Sequence, residues 1–171
     1  MPEYHAISLK DDRLMADEIK RWSTTDVAQR NRLDYFAAAL SDAIYPLGVD
    51  RADPRNFQAE VSSANLASIR VCKTMGSPHQ SYRGRSELGR TTDHTFNLLM
   101  TMQTTWTADH RGSLHLSPRD VLIIDSDYPL KTDIRTSFTS IAIAFQSPLT
   151  LSLGTSICPE SSKHPFLAPS T

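Results

Sequence analysis

Six histidines, His5, His79, His94, His110, His115 and His164, are the first side chains in this sequence able to bind a metal or move a proton. A metal centre inside a β-barrel calls for two histidines two residues apart on one strand, so that both face inward. Neighbouring strands then add a carboxylate and a third histidine. No His-x-His occurs, and His110 and His115 flank a turn instead of sharing a strand face. The spacing therefore predicts no metal site and no cofactor. Asp125 and Asp127 have the chemistry for an acid and base pair. Beside Pro129, however, they read as a strand stop whose carboxylates cap turn backbone. Cys72 has no histidine placed to activate it, and no Gly-x-Ser-x-Gly elbow is present. Gly84, Gly89 and Gly112 are too isolated to cradle a phosphate. No catalytic residue is predicted, and the expectation is that the chain is not an enzyme.

Charge argues in the same direction. Lys73, Arg83, Arg85 and Arg90, interleaved with His79 and Tyr82, form a basic stretch interrupted only by Glu87. Four cations on a loop read as solvated surface. With a net charge of −1 there is no general basic field for nucleic acid or an anionic membrane. The expectation is no DNA-binding residue, no specific DNA binding by this chain and no membrane partner.

These side chains need elements to position them. A length of 171 residues suits one domain with a real core, and 39% apolar residues is enough to build it. No secretory h-region opens the sequence and no run nears the roughly 18 apolar residues of a membrane span, so the expected location is cytoplasmic. Cys72 and Cys158 lie too far apart in sequence to suggest a disulfide framework. Residues 1–21 are read as an N-terminal arm, 22–146 as a helix plus barrel, and 147–171 as a Ser/Pro-rich, disordered tail.

A helix is predicted over 27–44, with Asp26 as N-cap, Gln29 three residues on, and Leu33, Phe36, Ala37, Leu40 and Ile44 on one face. It is expected to pack on the outside of a sheet and to end at Pro46 and Gly48. Short strands follow at 57–61, 66–72, 94–103, 106–110, 112–116, 120–125 and 136–145, with a polar stretch over 75–89. One helix followed by about seven strands predicts a mainly β fold, an antiparallel barrel or sandwich with an added N-terminal helix.

The barrel interior is then the candidate ligand site. Phe96, Leu98, Met100 and Met102 recur at period two, with Phe138, Ile141, Ile143 and Phe145 available opposite. They line either a packed core or an apolar pocket; the sequence leaves both open and leans toward the packed core.

The order of these features resembles a known family. A capped helix follows Trp22-Ser23-Thr24, then come Ser77-Pro78-His79 with Arg83 and Arg85, the strand 95–102, and the turn at His110-Arg111-Gly112. Last is Leu116-Ser117-Pro118-Arg119-Asp120 with Val121 to Ile124 and Asp125-Ser126-Asp127-Tyr128-Pro129. Over roughly residues 20–150 this resembles the N-terminal cupin-like, ligand-binding and dimerisation domain of AraC-type transcriptional regulators. The resemblance implies a jelly-roll barrel that binds a small-molecule effector and controls a DNA-binding domain. It also implies a homodimer, or a heterodimer with a full-length paralogue, and the exposed side of the 27–44 helix is the candidate contact. Two departures stand out. Arg119 occupies a turn position where the family usually has glycine, implying a different turn or strain. The 147–171 segment is too short and proline-rich for a helix-turn-helix pair, so a regulator truncated before its DNA-binding half is expected, either a modulator of full-length paralogues or a remnant without function. The alternative is a small metal-dependent cupin enzyme, an oxygenase or isomerase.

Overall fold

A computed structural model describes residues 18–90 and 94–146. The expected tail, Cys158, His5 and His164 lie outside the described residues. The elements run β1 (Lys20–Ser23), α1 (Arg32–Ala43), β2 (Gly48–Asp50), β3 (Ala59–Leu66), β4 (Ile69–Gly76), β5 (His79–Arg83) and α2 (Arg85–Leu88). They continue with β6 (Thr95–Thr101), β7 (Trp106–Asp109), β8 (Ser113–Leu116), β9 (Val121–Asp125), β10 (Leu130–Ile134) and β11 (Phe138–Gln146).

The strands form two antiparallel sheets, one ordered β1-β3-β4-β11-β6-β9 and the other β2-β5-β10-β7-β8. From β9 the chain crosses to the second sheet for β10 and returns for β11. This repeated exchange between facing sheets is the jelly-roll pattern expected from the sequence. Alternation puts one side of each strand into the core between them. On β9, Leu122 and Ile124 are buried while Val121 and Ile123 are 49% and 61% exposed, so this strand is covered on one face only.

Four strands escape the sequence pattern. The first, β1, starts at Lys20 inside the segment read as an arm, and pairs with β3 from Lys20↔Ser63 to Ser23↔Glu60. The stretch read as a polar loop contains β5, whose inward residues His79, Ser81 and Arg83 are all polar and all buried. A strand buried through hydrogen bonds carries no apolar alternation to read. The short strands β2 and β10 complete the set.

The helix begins later than Asp26 suggests. Ser23 accepts the Thr25 N–H and opens a 3-10 turn over Thr24–Asp26. The Thr24 hydroxyl accepts the Ala59 N–H at 2.8 Å, which ties this segment to β3. Val27 is extended, a second 3-10 turn spans Gln29–Asn31, and the Gln29 side chain donates to the Arg55 carbonyl. Asp26 and Gln29 therefore do not cap α1. Nor does α1 lie on an outer sheet face. Phe36 and Leu40 are buried from it into the space between the sheets, so the helix closes the barrel.

The turn before β9 is strained at Arg119, which has φ 74°. Its N–H donates to Thr101 O, while Asp120 accepts the Ser117 N–H at 2.7 Å and fixes the loop. The left-handed conformation costs a non-glycine residue about 1 kcal/mol. Gly112, at φ 144°, meets no such cost in the β7–β8 hairpin.

Candidate functional site

Between the sheets and beneath α1 lies a cavity of about 60 Å³. Such a space holds a few water molecules and nothing larger without movement of its walls. Aromatic rings fill much of the surrounding core. Phe138 packs against His79 at 5.1 Å and against Trp106 at 5.6 Å, and Phe36 meets His79 edge-on at 5.3 Å.

The polar part of the lining comes from Thr74, His79, Ser81, Asn97, Thr132 and Ser140. All six are buried, and among the described residues no charged side chain lines the cavity. The His79 ring is held at both nitrogens. Its Nδ1 lies 3.0 Å from Ser77 O, an acceptor, so Nδ1 carries the hydrogen; Nε2 then accepts from the Ser81 hydroxyl at 3.0 Å. Burial pushes the His79 pKa below its ordinary value, partly opposed by the bond to Ser77, so the imidazole is neutral.

Asn97 is different. It is 1% exposed, and its amide nitrogen sits 3.5 Å from the Thr95 hydroxyl, the limit of a hydrogen bond. Its carbonyl oxygen is buried and has no partner among the described residues. An unpaired buried acceptor costs about 1–3 kcal/mol unless something donates to it.

Of the residues expected to line the pocket, Phe138 does so. Phe96, Leu98 and Met100 on β6, and Ile141 and Ile143 on β11, have the opposite parity and stand on the outer face of the six-stranded sheet. Met102 follows β6, is half-buried and does not line the cavity. The inward partners are Asn97 and Leu99 on β6, with Ser140 and Ala142 on β11. A signal was present in the sequence. Phe138 and Ile141 are three residues apart and cannot face the same way from one regular strand.

His79 is the one histidine in the cavity lining. His110 is buried elsewhere: Nδ1 donates to Pro129 O at 3.0 Å while Nε2 accepts the Asp125 N–H at 3.1 Å. Among the described residues, His94, Asp125 and Asp127 form the one group whose donor atoms gather closely enough to hold a metal ion, all within 4.8 Å. It sits at the end of β9, outside the cavity. Asp125 Oδ1 already accepts from His94 Nε2 at 2.8 Å and from the Asp127 N–H at 3.1 Å. Asp125 therefore caps the turn backbone, as its position beside Pro129 suggests.

Between these acids, Ser126 is fully buried and exchanges backbone bonds with the start of β6. Its N–H donates to Thr95 O and its hydroxyl accepts the Thr95 N–H, both at 2.9 Å. Its carbonyl accepts from Arg83 Nε at 2.9 Å. Arg83, 1% exposed, also reaches Pro46 O at 2.9 Å and lies over the Tyr45 ring at 5.0 Å. The basic residue read as solvated surface is thus a buried tie between β5, the end of α1 and the Asp125–Pro129 turn.

The fold and lining define a cupin-like jelly-roll barrel with a small, mainly apolar cavity that carries a few polar side chains. Among solved structures, the chain is similar to the AraC-like transcriptional activator CuxR. The TM-score is 0.63 at 15% identity, covering 75% of this chain and 47% of that one. Weaker likenesses are the cupin domain of Cnp3 from Schizosaccharomyces pombe (TM-score 0.44, 9% identity, 56% of this chain and 71% of that one). A cupin superfamily protein from Desulfitobacterium hafniense gives TM-score 0.38 at 15% identity, over 50% of this chain and 76% of that one. No family model and no curated protein matches the sequence. Among the described residues, no helix is long and apolar enough to cross a membrane.

Proposed function

We propose that the chain is the effector-sensing module of an AraC-type transcriptional regulator, with the barrel interior as its ligand site and α1 as its moving part. The observation that carries this reading is the unpaired Asn97 oxygen, 1% exposed on a residue that lines the cavity. Buried acceptors are retained against their cost where a ligand completes them. With Ser140, Thr132 and Thr74 around it and no charge on the walls, the site suits a small uncharged molecule bearing a hydroxyl or amide donor.

Cavity size turns binding into a signal. About 60 Å³ is too small for more than a few non-hydrogen atoms, so a larger effector must displace a wall. The helix α1, held to the barrel mainly by Phe36, Leu40 and Ala43, is the wall not fixed by a sheet ladder. An effector that fits only when α1 shifts favours the shifted state by its differential affinity, and DNA-binding segments elsewhere in the regulator read that shift. The described residues include one long helix and one of four residues, and the reading assigns them no sequence-specific contact with DNA.

Nuclear magnetic resonance titration with small neutral polyols and amides (glycerol, erythritol, acetamide) tests the reading. Binding shifts the Asn97 side-chain amide and the backbone of α1 together, and Asn97→Leu, which lacks that amide, abolishes the α1 shift. Probes that move surface resonances alone, or none, refute it.

A further inference from the structure

Outside the barrel interior, the C-terminal end of α1, the β3–β4 hairpin and the end of β11 border a cleft of about 470 Å³. That volume falls within the roughly 300–1,000 Å³ of small-molecule sites and far exceeds the inner cavity. Arg70 from β4 and Arg90 from beyond α2 both line it, and among the described residues no acidic side chain does. Arg70 is half-buried and held in place. Its Nε donates to Asn65 Oδ1 and its Nη1 to Asp42 O, both at 3.1 Å. Both acceptors are neutral. The Asp42 carboxylate, which could answer the charge, lies instead toward Lys20 at 3.9 Å. Among the described residues neither arginine makes an ion pair.

We infer that this cleft binds a small organic oxyanion, a carboxylate or a phosphate monoester carried on an apolar body. The head group follows from the arginines. A guanidinium presents a planar fork that matches two oxygens of a carboxylate or phosphate, and such bonds are roughly twice as strong as neutral ones. Arg70 is already oriented by its neutral acceptors, so little side-chain freedom is lost when an anion arrives. Helix capping explains part of this arrangement. Asp42 O is one of the last-turn carbonyls of α1, and Arg70 satisfies it and offsets the negative end of the helix dipole. Capping does not explain Arg90, which reaches the same space from a different element. The body follows from the other walls. Ile44, Ile69 and Phe145 are apolar, while Ser68 and Thr95 bring hydroxyl groups. A bare inorganic ion would leave most of the cleft to water, so the volume calls for an organic part.

The cleft also touches the barrel interior. Ile44 and Tyr45 line both spaces, so the stretch that ends α1 is the partition between them. An anion on Arg70 competes with Asp42 O for the same guanidinium and so acts on the tie between α1 and β4. Binding in the cleft does not rest on the reading of the barrel interior, because its charges and its volume lie outside that cavity.

Titration of the 171-residue chain with phenyl phosphate, phenylacetate, inorganic phosphate and neutral 2-phenylethanol tests the assignment. The readout is nuclear magnetic resonance at the arginine Nε–H groups and at the backbone of Ile44 and Ser68. Both aryl anions are expected to move the Arg70 and Arg90 signals with dissociation constants of about 1 mM or tighter, and the tighter one names the head group. Inorganic phosphate and 2-phenylethanol should each bind roughly tenfold more weakly, one lacking the body and the other the charge. Arg90→Gln, at an exposed position, should keep the parent's urea midpoint and weaken both aryl anions roughly tenfold. Arg70→Lys keeps the charge, loses the fork, and should also weaken them. Asn97→Leu should leave them unchanged. Inorganic phosphate binding as tightly as the aryl anions would reveal bare surface charge and overturn the proposal. So would equal binding of 2-phenylethanol, or no shift at about 10 mM of either aryl anion. Loss of aryl-anion binding in Asn97→Leu overturns it too, since the anion would then sit in the barrel. Failure of the polyol and amide titration with aryl-anion binding intact refutes only the reading of the barrel interior.

Discussion

On β6 and β11 the inward positions are Asn97, Leu99, Thr101, Phe138, Ser140 and Ala142, whereas Phe96, Leu98, Met100, Ile141, Ile143 and Phe145 point outward. The usual polarity of a sheet packed on one side is reversed at its centre. Three of the six inward side chains, Asn97, Thr101 and Ser140, are polar, and they bring hydrogen-bonding groups to the inner face. Outward ones are large and apolar, and only half-buried. Packing therefore explains neither face fully. Among the described residues, the inner face keeps an acceptor that nothing satisfies, and the outer one keeps apolar surface that nothing covers.

The largest test of this contrast is a pair of truncations. Phe138, 5% exposed and in ring contact with both His79 and Trp106, anchors the inner face. Phe138→Ala is expected to cost about 3–5 kcal/mol in urea unfolding. Ile123→Ala, from the outer face, should change monomer stability by no more than about 0.5 kcal/mol. Equal losses would mean that the outer face is a core in its own right.

A smaller effect separates a ligand site from a merely imperfect core. Asn97→Leu removes the unpaired oxygen from the inner face, and relief of that acceptor is expected to raise stability by about 1 kcal/mol. The same variant should lose the response to polyol and amide probes. Leu98→Asn, one residue along and facing outward, should leave the probe response unchanged. A destabilised Asn97→Leu chain would show that the oxygen has a partner when folded, and the contrast between faces would lose its main support.

The architecture was legible because most strands alternate strongly and the turns are distinctive. Leu122 and Ile124, the hairpin at Arg111-Gly112 and the Ser117–Asp120 turn all sit where the pattern places them. The site was less legible, for one physical reason. Period-two reading finds the two faces of a strand but assigns the more apolar one to the interior, and on β6 and β11 that rule selects the outer face. The strand β5 was hidden by the same rule, since His79, Ser81 and Arg83 are buried through hydrogen bonds. Thr24 likewise gave no hint that its hydroxyl would hold β3 and delay the helix.

The smallest expected effect is a pH dependence that distinguishes a buried imidazole from a carboxylate at the sheet corner. Burial keeps His79 neutral in the fold, its pKa below the ordinary value of about 6.5. As pH falls through that value the unfolded chain takes up a proton that the folded chain refuses. The His79 contribution is therefore complete above about pH 6.5 and is lost as pH falls toward the folded pKa. For Asp125, partial burial works to raise the pKa, but the Asp127 N–H and His94 outweigh it, and the net shift is downward. Its contribution is present above the ordinary carboxylate value of about 3.9 and is lost only as pH falls from there through the folded pKa. Urea midpoints between pH 7.5 and 5 should therefore decline, and His79→Gln should flatten that decline while Asp125→Asn leaves it in place. A decline that survives His79→Gln would assign the proton to another group and detach the acid response from the cavity.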